Sequence, residues 1–178
     1  MSRPRQWLLP VASIAIAIPA QATRYLSVEQ AQRLCFPEAS QFVASHIVFR
    51  AADVAAIERQ SGQKVRTRGE QVWRAEANGR LLGFFFVDYV IGKHEVIDYA
   101  VALDAQGKVR RLEILQYRES YGSEVANHDW LAQFVGKGGG DSLEPGRDIR
   151  IISGATLSSR HVTEGIKRVL AIHDLLLR

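Results

Sequence analysis

The chain has 178 residues, 47% of them hydrophobic and 24% charged, with a formal charge of +4. This size suits one domain, and the balance excludes a disordered chain. The charge is no nucleic-acid footprint: the sequence has no basic cluster, and Arg3 and Arg5 sit among residues 1–22 with no acid, so removing that stretch leaves +2.

Arg3 and Arg5 begin a basic start, Trp7 to Ile18 is nearly all apolar, and Ala20-Gln21-Ala22 is a small-x-small cleavage site. This order predicts a signal peptide over 1–22 and a mature domain over 23–178, with an uncleaved anchor as the alternative. Export predicts a periplasmic protein, free or held at the inner membrane. The lone Cys35 cannot form an internal disulfide and reads as a small core residue on an early helix.

Ser27 to Gln30 has capping-box spacing and predicts a helix over 28–35, ended by Pro37. A first strand is expected over 41–50 and a second helix over 51–60, with Gly62 as its C-terminal cap. Strands follow over 65–77, 81–91, 96–103 and 109–117. Asn78-Gly79 makes the first hairpin turn, and Ile97, Tyr99, Val101 and Leu103 share one face. One or two helical turns are expected over 129–135 and a loop over 136–146. An amphipathic helix over 159–177 carries Val162, Ile166, Val169, Leu170 and Leu176. Tight turns between neighbours imply antiparallel pairing. The fold class is therefore α+β, an antiparallel sheet flanked by helices, with the C-terminal amphipathic helix following the loop that holds Ser153-Gly154-Ala155-Thr156.

That loop suits a phosphate. Gly154 lets the backbone turn and approach closely. The free amides at a helix start favour an anion, and Ser153, Thr156, Ser158 and Ser159 add hydroxyls. The competing local reading is that Ser158 or Ser159 simply caps the helix.

Ser153-Gly154-Ala155-Thr156 resembles the flavinylation motif of the FMN-binding domain family. That family includes the FMN-carrying subunits of the sodium-pumping NADH:quinone reductase and of the Rnf complex. The resemblance implies FMN esterified through its phosphate to Thr156 by a dedicated flavin transferase. It also implies close approach at Gly154 and Ala155, and Ser153, Leu157 and Ser158 as cofactor neighbours. The family often has an acid three positions before the Ser/Thr; Arg150 stands there, and the nearest upstream acid is Asp148. Tight non-covalent FMN is the alternative linkage.

Glu119-Ser120-Tyr121-Gly122 resembles the family's Glu-Thr-Pro-Gly stretch, which implies flavin contacts from Glu119, Tyr121 and Gly122; the alternative is an ordinary turn after a strand. Trp130, Phe134, Gly136 and Lys137 resemble another family segment, which implies Lys137 near phosphate or reduced flavin. Trp130 and Phe134 equally suit a core-facing helical pair. Lys93 and His94 join two strands, where a solvated turn competes with an approach to the flavin.

The stretch 136–140 is no P-loop, since no Ser or Thr follows Lys137, and the five histidines lack metal-ligand spacing. With no catalytic residue assigned, the resemblance implies an electron carrier working between membrane-bound or periplasmic redox proteins. An FMN-dependent reductase of a small molecule, assisted by Glu119, Lys137 or His94, and a flavin-free assembly module are the alternatives.

Overall fold

Apolar runs that alternate or fill both faces become a sheet here, and the helically spaced runs cover it. The computed structural model describes residues 23–119 and 121–178; the expected signal peptide over 1–22 and Ser120 lie outside the described residues. In chain order the elements are β1 (Thr23–Arg24), α1 (Val28–Cys35), β2 (Gln41–Val48), α2 (Ala51–Ser61), β3 (Gly69–Ala77) and β4 (Arg80–Ile91). Then follow β5 (Val96–Asp104), β6 (Val109–Tyr117), α3 (His128–Leu131) and α4 (Thr156–Leu176), with single 3-10 turns at Ser123–Ala126 and Ala132–Phe134. The strands form one antiparallel sheet in the order β1-β6-β5-β4-β3-β2. This is the expected α+β architecture.

β4 and β5 lie in the middle of the sheet, so both of their faces are covered. Ile97, Tyr99, Val101 and Leu103 point to one side, with Phe84 and Phe86 of β4. There they meet α2 and the buried stripe Val162, Ile166, Val169 and Leu170 of α4. The opposite face of β5 carries Ala100 and Ala102, small enough for Phe85, Phe36 and α1 to settle against it. Phe85 is fully buried, and a side chain of that size stabilises the fold by roughly 1.5–3 kcal/mol over an exposed one. Cys35 belongs to this second core; burial pushes its thiol pKa up to about 12, as suits a packing residue rather than a reactive thiolate.

The differences from the sequence reading lie at boundaries. α4 begins at Thr156, three residues before Ser159, and β3 begins at Gly69 rather than at position 65. β2 stops at Val48, because Phe49 turns into the core and Arg50 opens α2. β1 was not expected: its two residues pair with Gln116 and Tyr117 at the end of β6. Asn78 and Gly79 both take positive φ, 52° and 74°, as a type I′ hairpin turn requires.

Candidate functional site

Three segments meet at the start of α4: the loop Ser153–Ala155, the β4–β5 tip at Gly92–Glu95, and the chain leaving β6 from Tyr117 to Gly122. Glycine makes two of these meetings possible. A Cβ at Gly92 would lie 2.7 Å from Glu119 Oε1 and 3.3 Å from Ser158 Oγ. Gly122 takes φ +89°, and a Cβ there would lie 2.7 Å from Tyr117 Oη and 3.0 Å from the Cβ of Ala155. The fold thus brings Gly122 against the Ser153–Thr156 segment, the two stretches that the family resemblance singled out.

The first turn of α4 has no side-chain cap. The amides of Thr156, Leu157 and Ser158 have no hydrogen-bond partner among the described residues; the first amide to be satisfied is that of Ser159, which donates to the carbonyl of Ala155 at 2.9 Å. The local reading in which Ser158 or Ser159 caps the helix is not what the structure shows. Both serines sit inside α4, buried and committed elsewhere. Ser158 Oγ lies 3.2 Å from Tyr117 Oη, and Ser159 Oγ donates to the carbonyls of Ala155 at 2.9 Å and Thr156 at 3.1 Å. Three free N–H groups and the positive end of a 21-residue helix therefore face outward beside the exposed Ser153, Gly154, Thr156 and Leu157. Gly154, at φ +83°, has open space where a side chain would be, so a ligand can approach its backbone.

Each neighbour is held by a specific bond. The Tyr117 hydroxyl donates to the carbonyl of Tyr121 at 2.5 Å; burial, chiefly, raises its pKa, so it stays a neutral donor. The Glu119 carboxylate accepts the amides of His94 at 2.6 Å and Glu95 at 3.0 Å. Partial burial works to raise the pKa of Glu119, but the bonds from these tip amides outweigh it and the net shift is downward. Glu119 is thus an ionised clamp on the β4–β5 tip. His161 Nδ1 faces the carbonyls of Ile91 at 2.6 Å and Gly92 at 3.2 Å, which makes it the protonated nitrogen and ties α4 to the same tip. The side chain of Tyr121 is 86% exposed and free to lie over a planar ligand.

Between the chain after Gly122 and the approach to Ser153 runs a groove of about 340 Å³ lined by Glu124, Asn127, Asp129, Trp130, Arg150, Ile151 and Ile152. Trp130 forms its base: the indole Nε1 donates to the carbonyl of Arg150 at 2.7 Å, and the ring meets Phe134 edge-on with centroids 5.2 Å apart. Both aromatics are buried, so the core-pair reading holds for them. Asp148, the nearest acid upstream of the motif, is occupied in its own loop by the hydroxyl of Ser142 and the amide of Glu144. Those bonds, the Ser142 one first, lower its pKa to about 2.

Lys137 is not part of this assembly. Its carbonyl accepts the amide of Val109 at the first residue of β6, whereas Thr156 lies by the last, Tyr117. Eight strand steps of ~3.3 Å put these two ends of β6 about 26 Å apart. The structure thus places Lys137 by the first residue of β6 and not at the start of α4. The reason is topological: residues 129–137 run back along β6 before the chain returns to Ser153. Tyr117, Gly92 and His161 were not singled out from sequence. The one available signal was a tyrosine closing a strand two residues before Glu119.

Residues 92–171 match the family model described as FMN-binding domain. No curated protein sequence matches the chain. Among solved structures, the chain is similar to the crystal structure of Shewanella oneidensis NqrC, with a TM-score of 0.51 and 19% identity over 76% of this chain and 80% of that one. At that identity the likeness is one of fold. The chain thus carries a segment, residues 92–171, that matches the FMN-binding domain model, on a fold similar to that of NqrC.

Proposed function

We propose that this protein is an exported electron carrier whose FMN is joined through its phosphate to Thr156. The observation that carries the reading is the uncapped start of α4. A helix of this length leaves three amides and an exposed threonine hydroxyl at one point, an arrangement that an anion can fill with favourable dipole and hydrogen-bond interactions. Ser153 and the open backbone of Gly154 would hold the phosphate. The groove over Trp130, with the exposed Tyr121 and the Gly122 backbone beside it, would hold the isoalloxazine ring. The cofactor supplies one- and two-electron chemistry. The protein positions it and sets its surroundings. An open groove suits exchange with redox proteins in the periplasm or at the inner membrane, and a flavin transferase is the maturation partner. Covalent attachment keeps the cofactor where it is not readily replaced.

Intact mass spectrometry of the protein expressed with a flavin transferase tests this. The expected result is a gain of one FMN less one water that survives denaturation and is absent from Thr156→Ala. Flavin released by denaturing the wild type would replace the ester with tight non-covalent binding. Colourless protein with no mass gain would overturn the flavin reading.

A further inference from the structure

A second cavity, of about 480 Å³, reaches the β4–β5 tip at Gly92 and Lys93 and His161 of α4, and shares no lining residue with the groove over Trp130. The α2–β3 connection supplies Lys64 and Arg66 to its wall, the tip supplies Lys93, and α4 supplies His161, Glu164 and Arg168. Its floor is a buried polar cluster. Arg168 Nη2 lies 2.5 Å from Asp88 Oδ2, and the Tyr99 hydroxyl donates to the same oxygen at 2.6 Å. Gly165 allows this, because any side chain there would collide with Tyr99 Oη.

Only Nη2 of Arg168 is used, for Asp88 and more weakly for the carbonyl of Tyr89 at 3.5 Å. Nη1 and Nε have no protein partner among the described residues, yet they are not sealed from solvent. Arg168 lines the cavity. Arg66 and Lys93 form no ion pair among the described residues, and Lys64 meets only Glu58, outside the lining. Of the two acids in the lining, Asp88 is already engaged by Tyr99 and Arg168, leaving Glu164 alone against the surplus of cations.

We propose that this cavity binds a small organic oxyanion, carboxylate or phosphoryl, with the unused edge of the Arg168 guanidinium as its anchor and Arg66 and Lys93 as its electrostatic rim. An arginine held in place by one nitrogen presents its remaining donors in fixed geometry, which is what planar oxyanion recognition uses. The volume is that of a small-molecule site. This proposal stands apart from the flavin reading and does not need Thr156.

The test is a titration of the full-length, FMN-loaded, isotope-labelled protein with inorganic phosphate and, separately, succinate, followed by amide chemical shifts. Saturable shifts at Lys93, Gly165 and Arg168 are expected with at least one probe, and whichever binds names the headgroup. The Arg66→Glu, Lys93→Glu double variant, checked for an unchanged fold by circular dichroism, should weaken binding by about tenfold or more. No saturable shift with either probe, or equal affinity in the variant, overturns the proposal. So does binding to unloaded Thr156→Ala protein that vanishes once FMN is attached to the wild type, because the cavity would then belong to the flavin. Flavin loading is read separately by mass, so failure of one reading is distinguishable from failure of the other.

Discussion

α1 and α4 are fastened in opposite ways. α1 is short and closed at its start: Ser27 accepts the amide of Gln30 at 3.2 Å, and Gln30 accepts the amide of Ser27 at 2.8 Å. α4 is long and open at its start, and is held along its side instead, by an apolar stripe and by the Asp88–Arg168–Tyr99 cluster under Gly165. A helix that needs its own first turn for stability spends those amides on side chains. A helix anchored along its flank can leave them for a ligand. The contrast separates a helix capped by its own side chains from one whose first amides are left free.

The sharpest way to break that contrast is to loosen the flank of α4. Arg168→Met would strand Asp88 and Glu70 beside each other in the core without a cation. We expect a loss of about 3–5 kcal/mol in urea unfolding at neutral pH, as for other broken buried pairs. Asp88→Asn should cost clearly less, because Glu70 can then release its proton and serve Arg168. Equal losses in the two variants would mean that Glu70 is not part of the cluster.

Glu70 also gives the cluster a pH signature. Burial first, and then the charge of Asp88, raise its pKa from the ordinary 4.5 to about 8. The folded state thus holds a proton that the unfolded chain gives up, so stability is fully present below about pH 4.5 and falls as pH rises toward 8. Thermal unfolding between those limits should show a falling midpoint in the wild type and a flatter profile in Glu70→Gln. A wild-type profile that rises through this range would rule out the protonated Glu70.

Next in size is the contact that brings the β6 exit to the open helix start. Gly122→Ala meets both a left-handed backbone and the crowding of Tyr117 Oη and Ala155. About 1–3 kcal/mol should be lost in chemical denaturation, with the flavinylated fraction falling in parallel. Normal flavin content alongside the stability loss would detach Gly122 from the site.

How much of this was legible in the sequence differs between the two helices. The start of α1 could be read residue by residue, because a capping box is a local pattern between Ser27 and Gln30. The side of α4 was legible too, since its apolar period survives any choice of partner. Its start was misplaced at Ser159 because hydroxyl residues near a helix start ordinarily cap it, and nothing local reveals that Ser158 is drawn off by Tyr117, 41 positions earlier. The cluster of Glu70, Asp88, Tyr99 and Arg168 was invisible for the same reason: its members come from three strands and a helix, and cross-strand register unites them. Lys137 is the opposite case. It is near the motif in the family's linear pattern and at the far end of β6 in space.

The smallest expected effects bear most directly on the comparison. Ser27→Ala removes the side-chain acceptor of α1 and should cost about 1 kcal/mol, in the usual range for a lost N-cap. Ser153→Ala, at the start of the longer helix, should cost the flavin-free protein less than about 0.5 kcal/mol, because that hydroxyl caps nothing. The same substitution should lower flavin loading, if Ser153 faces the phosphate. Urea unfolding of both variants in flavin-free and flavin-loaded form gives the four values needed. A Ser153→Ala loss as large as that of Ser27→Ala in the flavin-free protein would show that α4 does draw on its own first turn. The uncapped start could then no longer be explained by an anion-binding role. A loss confined to the loaded protein would instead mark the hydroxyl as one that works only when the phosphate is there.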